Sequence, residues 1–207
     1  MTNPLLEDDI LPAFSMIKHE HIRPAVEIQL NENREHLKNL LDSEPNWENF
    51  IEPIAEQSDK LSRLWSPVSH MNGVVNSEQF RVEHDACLSL LSDYYSEFGQ
   101  NSDLYKAYQR VATNDQLTNI QRKIIEDDLQ DFRLAGVDLN DKDKYRFREI
   151  KSRLADLGSQ FNNNVLDATM AWSKHFIDQS ALEGLPESAL AVAANCAKDR
   201  GLDGFLL

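Results

Sequence analysis

Apolar residues recur three and four positions apart along nearly the whole chain, and this spacing constrains the fold more than any other feature. It is the period of an amphipathic α-helix, in which such positions share one face. Alternation of apolar and polar residues appears only near the end, in AWSKHFID and GFLL, with a short Ala-rich helix starting near Pro186 between them. No internal repeat or low-complexity linker divides residues 1–207, so we expect a single domain. The sequence predicts a predominantly all-α fold, a multi-helix bundle with a short β segment near the C-terminus.

Prolines and a glycine are predicted to delimit the first helices. Pro24 suits a first turn, so the first helix should run from there to about Leu41. A short turn and then a second helix follow in PNWENFIEPIAEQSDKLSRLW. Pro67, Asn72 and Gly73 are predicted to break the pattern after that helix.

Capping residues predict where the later helices begin and end. Ser77 can cap a helix, and Thr118 with Gln121 three residues later forms a capping box. The helix after Thr118 is expected to end at Gly136, where glycine suits a C-terminal cap, and a shorter helix starts at Ser102. The helix after Ser77 carries an apolar stripe of Phe80, His84, Cys87, Leu91, Tyr94 and Phe98.

The longest helical pattern runs from about Asp141 to Met170 and is predicted to bury one face. At about 100° per residue, its apolar side chains fall within an arc of roughly 80°. Its basic residues lie along both edges of that arc and alternate with acidic ones, so we interpret them as solvated flanks rather than as a nucleic-acid-binding surface. The apolar stripe consists of Phe147, Ile150, Leu154, Leu157, Phe161, Val165, Ala168 and Trp172, and the flanks consist of Lys142, Arg146 and Arg153 on one edge and Lys144, Arg148 and Lys151 on the other.

Three consecutive asparagines, Asn162, Asn163 and Asn164, lie within this helix, although helix interiors disfavour asparagine. Beyond them, Leu166 and Met170 place apolar side chains opposite the stripe. We therefore predict that the helix buries one face before the asparagines and two faces after them. The asparagine amides are expected to hydrogen-bond to a second structural element.

The chain carries 21 basic and 35 acidic residues, a net charge of −14. This charge argues against nucleic acids and anionic membranes as partners, because polyanions are repelled. The N-terminus lacks the basic start and apolar core of a secretory signal, and no apolar run approaches the ~20 residues of a membrane span. We expect a cytoplasmic protein in which Cys87 and Cys196 are reduced, buried thiols.

No recognisable active site is evident in the sequence. The H-E-x-x-H helix of zinc peptidases is absent, and so is a Gly-rich phosphate loop. His19, Glu20 and His21 stand close together, but positions i and i+2 point apart on a helix, so a helix-entry role is favoured over metal binding. His84 and Cys87 could share a metal at i, i+3, yet both lie on an apolar stripe, which favours a packed core pair.

The remaining histidines also have structural interpretations. His36 lies one turn beyond Glu32, the spacing of a surface ion pair. His70 and His175 lie beside turn and strand signals, with no serine or cysteine nucleophile motif nearby. We therefore predict that this chain holds no catalytic, cofactor-binding or metal-binding residue.

Four blocks of sequence carry a specific resemblance: LPAFSMIKHEHIRPAV, LWSPVSHMNGVVNS, RLADLGSQFNNNVLDATMAW and LEGLPESALAVA. In this order and spacing, the chain resembles the N-terminal region of the thimet oligopeptidase family of zinc metallopeptidases. The resemblance extends over all 207 residues. It implies a mostly helical protein, more than three times this length, whose two halves flank a deep channel with zinc at its floor. It assigns no zinc ligand to this chain, because the family's zinc motif lies in the later half.

On this resemblance, the chain is expected to be a fragment that lines one side of the channel and restricts substrates to short peptides. It should be inactive without the missing C-terminal catalytic domain, into which the GFLL strand would continue. Apolar surface left without that partner is expected to make the fragment self-associate, as a dimer. The alternative is a stand-alone helical module that binds peptides or proteins without catalysis.

Overall fold

The computed structural model describes residues 3–7, 11–75 and 77–207. Helices dominate these ranges, and the sheet found in them has two short strands near the C-terminus, so the predicted fold class is confirmed. None of the helices described is long and apolar enough to cross a membrane. The elements in chain order are a 3₁₀-helix (Phe14–Met16), α1 (His19–Leu41), a π-helical turn (Trp47–Ile51), α2 (Glu52–Val74), α3 (Glu78–Gly99), α4 (Ser102–Ala112), α5 (Asn119–Leu134), α6 (Asp141–Ala171), β1 (His175–Phe176), a second 3₁₀-helix (Gln179–Leu182), α7 (Glu187–Asp199) and β2 (Phe205–Leu206).

The chain forms two compact units, residues 1–159 and 160–207. The first unit contains α1 to α5 and the first part of α6. The second contains the last part of α6, both strands and α7. The assignment of residues 1–207 to a single domain stays a prediction.

Pro24 and Pro67 lie inside helices, so both predicted boundaries are wrong. α1 begins at His19, more than one turn before Pro24. α2 follows the π-helical turn as expected, yet it continues through Pro67, Asn72 and Gly73 instead of ending before them. Each proline removes one helical hydrogen bond, and burial of the apolar face around it offsets that cost. The buried residues near the two prolines are Ile22, Ala25 and Val26 in α1 and Leu64, Val68 and Met71 in α2.

The predicted helix caps are confirmed. The Ser77 hydroxyl oxygen accepts a hydrogen bond from the Phe80 N–H at 3.3 Å. The Gln121 N–H donates to Thr118 Oγ1 at 3.2 Å, and the Thr118 N–H donates to Gln121 Oε1 at 2.9 Å, which completes the capping box. Gly136, at φ 87°, provides the left-handed residue that closes α5. α4 also begins where the sequence predicts.

Two clusters of buried apolar side chains hold the first unit together. The first cluster lies between α1, the later turns of α2, and α3. The second lies between the π-helical turn, the first turn of α2, α4 and α5. α2 contributes Leu61, Leu64 and Val68 to the first cluster and Ile54 to the second. One helix therefore connects the two halves of the core.

Buried amides link α1 to its neighbours beside the first cluster. Gln29 Nε2 donates to Asn33 Oδ1 at 2.8 Å, and Asn33 Nδ2 donates to Tyr94 OH at 3.3 Å. Asn33 is 1% exposed, so these bonds satisfy an amide that would otherwise be costly to bury. Helical periodicity places Asn33 on the same face of α1 as Val26 and Leu30, but it could not predict the hydrogen-bond partner Tyr94, which is 61 positions away.

The second unit pairs its two strands and packs α7 against β2. The strands are antiparallel, with His175 opposite Leu206 and Phe176 opposite Phe205. The short β segment and the Ala-rich helix after Pro186 are therefore confirmed. The buried apolar side chains of this unit are Leu182, Ala193, Ala197 and Leu206.

Two helical glycines provide a matched test of this packing. A Cβ at Gly99 would lie 2.6 Å from the Cβ of Ala135, whereas a Cβ at Gly158 would have nothing within 4 Å. We expect Gly99→Ala to lower the free energy of unfolding by about 1–3 kcal/mol, because the end of α3 would be pushed from the residue after α5. Gly158→Ala should raise it by up to about 1 kcal/mol, because alanine favours the helix more than glycine does. Urea denaturation followed by circular dichroism measures both, and shifts of the same sign would contradict the close packing at Gly99.

Candidate functional site

His19, Glu20 and His21 lie at the entry to α1, as predicted. The Lys18 N–H donates to His21 Nδ1 at 3.1 Å, and the His21 carbonyl accepts from Asn3 Nδ2 at 2.8 Å. His19 and Glu20 are exposed. The His21 imidazole therefore acts as a capping acceptor for the first turn of α1.

His84 and Cys87 both belong to the core, in line with the favoured interpretation. Cys87 is fully buried, and burial raises the pKa of its thiol to about 12. The His84 ring stacks on Trp65 with 5.0 Å between centroids, and its Nδ1 lies 3.1 Å from Asp85 Oδ1. A thiol that stays protonated at neutral pH is a poor metal ligand.

Cys196 is exposed on α7, so the prediction that both thiols are buried is wrong for this one. α7 turns Ala193 and Ala197 inward, and these are 2% and 0% exposed. Cys196 lies about 100° around the helix from Ala197, on a different face. Two small residues therefore form the covered side of this helix.

The other three histidines have separate surroundings. His36 forms no ion pair with Glu32 in the described ranges, and its buried Nε2 has no hydrogen-bond partner there. His70 packs edge-on against an aromatic ring of the N-terminal segment, with 5.9 Å between centroids. His175 Nε2 donates to the Asp203 carbonyl at 2.6 Å. Among the residues described, no group of three or more His, Cys, Asp or Glu side chains could hold a metal ion.

The apolar stripe of α6 is exposed, so the prediction of a buried face is wrong. None of the α6 side chains is buried. In the first unit, Ile150, Leu154 and Leu157 are 45%, 59% and 44% exposed, and we call these three residues the exposed α6 patch. In the second unit, Phe161 and Trp172 of the same stripe are also exposed.

Polar contacts on another face of α6 explain its orientation. Arg148 Nε donates to Gln100 Oε1 at 2.7 Å, and Lys144 Nζ donates to the Gln100 carbonyl at 3.3 Å. Ser159 Oγ donates to Asp85 Oδ1 at 2.6 Å. On a helical projection these anchors lie about 150° from the exposed α6 patch. Arg148 is exposed, as predicted for a solvated flank, whereas Lys144 is partly buried, and both side chains hold α6 against Gln100.

The three asparagines do not mark a change in burial. Asn162 and Asn164 are exposed, and Asn163 and Leu166 are partly buried. Because α6 buries no residue on either side of them, the predicted step from one buried face to two is wrong. Hydrogen bonding of the asparagine amides to a second element of a larger protein stays a prediction.

A pocket of about 400 Å³ opens between the π-helical turn, α2, α3 and α5. The charged side chains that line it in the described part of the chain are Glu52 and Asp128. Trp47 Nε1 donates to Glu52 Oε1 at 2.7 Å, which fixes that carboxylate at the rim. Asp128 is half-buried. Aromatic residues form much of the remaining wall: Trp47, Tyr94, Tyr95, Phe98 and Tyr108.

The Asp128 carboxylate stands in an unfavourable environment. Burial, together with the nearby Asp131 and Asp127, raises the pKa of Asp128 to about 6. Asp128 has no hydrogen-bond or ion-pair partner within the described ranges. Burial also raises the pKa of the Tyr108 hydroxyl, and the charge of Asp128 adds to that rise. The pocket therefore holds a negative charge that the chain itself does not neutralise.

The raised pKa predicts that ionised Asp128 lowers stability at neutral pH. The folded protein binds this proton more tightly than the unfolded chain, so the stabilisation is full below pH 3.8 and is lost as pH rises through about 6. Asp128→Asn should raise the free energy of unfolding at pH 7 by about 1–2 kcal/mol, less than the full shift would give because solvent screens a half-buried carboxylate, and should flatten this part of the pH profile. Urea denaturation between pH 4 and pH 7 measures both effects. Glu126→Gln on the same helix is the control, and an Asp128→Asn variant no more stable than the wild type at pH 7 would contradict the prediction.

Comparison with known proteins gives consistent matches over the chain. Residues 25–144 match the family model of the neurolysin/thimet oligopeptidase N-terminal domain. The chain is 46% identical over 210 residues to oligopeptidase A of Haemophilus influenzae, an alignment that covers 99% of the chain and 31% of that protein. It is 44% identical over 212 residues to oligopeptidase A of Escherichia coli, covering 100% of the chain and 31% of that protein. It is 28% identical to a probable cytosolic oligopeptidase A of Arabidopsis thaliana, covering 97% of the chain and 29% of that protein.

The chain thus spans about a third of the length of these relatives. The family model covers more than half of the chain, from the second turn of α1 to the start of α6. The resemblance found in the sequence is therefore confirmed. The chain belongs to the neurolysin/thimet oligopeptidase family and carries its N-terminal domain.

Proposed function

We propose that this chain is the N-terminal helical part of a zinc metallopeptidase that hydrolyses short peptides. The observation that carries the proposal is the alignment of nearly the whole chain with oligopeptidase A of two bacteria, at 46% and 44% identity. A shared fold alone would not support a shared function, because one fold serves many activities. Identity at this level along nearly the whole chain supports an equivalent N-terminal position in an enzyme of the same kind.

The zinc of such an enzyme would lie outside this chain. In the residues described there is no group of three or more His, Cys, Asp or Glu side chains that could hold a metal ion. Cys87 is protonated in the core, and His21 is used in capping α1. The described residues therefore do not fit a zinc site, and we propose that the chain by itself does not hydrolyse peptides.

For this chain we propose a place in the wall of the substrate channel, where it would restrict access to short peptides. The exposed α6 patch supports a contact with further protein, because neighbouring large apolar side chains on a surface are typical of an interface. The partner we propose is the catalytic part of the longer protein. In the relatives, about two thirds of the length lies outside the alignment, which is enough protein to cover such a patch.

The proposal also includes a cytoplasmic location, with neither nucleic acid nor membrane as a partner. The net charge of −14 supports the exclusion of nucleic acids and anionic membranes as partners, because an acidic surface repels polyanions. The basic residues of α6 support it further. Lys144 and Arg148 are bound to Gln100, and Arg146 NH1 lies 3.1 Å from Glu149 Oε2. These basic groups are engaged within the chain.

The first test is enzymatic. We expect the 207-residue chain to leave a quenched fluorescent peptide intact with or without added zinc, whereas a longer product of the same gene that reaches an H-E-x-x-H motif should cleave it. Zinc-dependent turnover by the 207-residue chain would contradict its assignment as a non-catalytic part. A stop codon directly after Leu207 in the gene would instead favour the stand-alone interaction module.

The second test concerns the exposed α6 patch. We expect the 207-residue chain to form dimers through this patch, and the double change Leu154→Gln and Leu157→Gln should lower the association constant about tenfold or more by removing apolar area. Light scattering over a concentration series measures the change. Ile120→Gln is the control, because Ile120 is a 75% exposed side chain of α5 outside the patch. A strictly monomeric wild-type chain at high concentration, or an equal effect of Ile120→Gln, would contradict this prediction.

A further inference from the structure

The pocket between the π-helical turn, α2, α3 and α5 combines aromatic walls with unneutralised acidic groups. Its lining includes Glu52 and Asp128 but, among the described residues, no lysine, arginine or histidine. Its volume of about 400 Å³ lies in the range of small-ligand sites. A neutral apolar occupant would leave the Asp128 carboxylate without compensation. The charge of the lining therefore favours a cationic occupant.

The aromatic rings offer faces on which a planar cation can stack. Tyr95 is 55% exposed and meets Tyr94 edge-on, with 5.5 Å between ring centroids. Outside the pocket lining, the chain already pairs an arginine with one of these rings: the Arg34 guanidinium carbon lies 5.7 Å from the Tyr94 ring centroid, and Arg34 Nε donates to Glu97 Oε2 at 2.9 Å. An arginine held between a ring and a carboxylate is thus compatible with this surface.

The two carboxylates differ in what they can offer a ligand. Glu52 Oε1 is occupied by the Trp47 indole N–H, so this group is fixed in place at the rim. Asp128 is half-buried and has no partner in the described ranges, so its oxygens are available to N–H donors. A guanidinium presents several N–H groups in a planar fork and can bind a carboxylate through two of them. Such a ligand would neutralise the charge that burial disfavours at Asp128.

The backbone at the pocket wall is also unusual. Trp47 and Ile51, which line the pocket, are the first and last residues of the π-helical turn that leads into α2. The wider π-helical turn is rare and occurs often at functional sites, because it displaces side chains from regular helical positions. Here the turn places the Trp47 ring and its bonded carboxylate at the same rim.

We propose that this pocket binds the side chain of an arginine residue in a peptide. The guanidinium stacks on the aromatic wall and donates to Asp128, and the apolar stem of the arginine contacts Ile124, a lining residue that is 41% exposed. The inference goes beyond the proposed enzymatic function, because it concerns a binding site within the 207-residue chain and does not depend on the catalytic part.

The test is a titration of the 207-residue chain with N-acetyl-arginine amide, followed by isothermal calorimetry. N-acetyl-citrulline amide is the matched neutral ligand, because it keeps the length and shape of arginine without its charge. We expect the arginine compound to bind at least about tenfold more tightly than the citrulline compound, the ratio typical of a charge-assisted hydrogen bond. Absence of binding by the arginine compound, or equal affinities for the two, would overturn the proposal.

Variants locate the site. Asp128→Asn should weaken binding of the arginine compound about tenfold, whereas Glu126→Gln, the same change of charge two positions away and outside the pocket lining, should leave it unchanged. Tyr95→Leu should weaken it about two- to fivefold through loss of the ring face. Thermal unfolding by circular dichroism accompanies each titration, and because Asp128→Asn is expected to be the more stable protein, its loss of binding cannot result from unfolding. Equal effects of Asp128→Asn and Glu126→Gln would also overturn the proposal.

Discussion

The packing of α2 is the interaction on which the first unit depends. Its 23 residues span about 35 Å, which is long enough to place its two ends in different parts of the core. Ile54 in its first turn packs with α4 and α5, while Leu61 and Val68 in later turns pack with α1 and α3. A break at Pro67 would remove part of the first cluster. The packing of a continuous α2 therefore stabilises the unit by more than the loss of one hydrogen bond at Pro67 destabilises it.

The orientation of α6 follows from a few polar contacts. Gln100, itself buried, engages Arg148 through its side chain and Lys144 through its carbonyl. Charge-assisted bonds to a buried residue fix this face of the helix inward, and the exposed α6 patch turns outward as a result. The apolar area of this patch that stays in water does not contribute to the folding of the unit. The patch is therefore available to the further protein that we propose as its partner.

In the pocket beside the second cluster, one charged side chain lowers the stability of the fold. Asp128 is held among aromatic rings and near Asp131 and Asp127, where its charge is unfavourable. A sequence selected for stability alone would place an uncharged residue there. Proteins retain such costly groups where a ligand or partner uses them, so the arginine site that we propose gives this charge a physical reason. The same pocket could not be predicted from the sequence, because its lining residues are up to 91 positions apart, from Leu37 of α1 to Asp128 of α5.

Local patterns in the chain were enough to predict the helices, several of their ends and the family. Ser77 and Gly136 act on backbone groups a few positions away, and apolar periodicity is likewise local, so these features could be read without a structure. Tertiary structure decided which helices tolerate proline and which faces are covered. α1 and α2 continue through their prolines because distant apolar partners bury the surrounding residues. The exposed α6 patch faces solvent because Gln100, 48 positions before Arg148, binds a different face of the helix. Periodicity shows that a helix has an apolar face, but only the contacts between distant segments decide whether that face is buried.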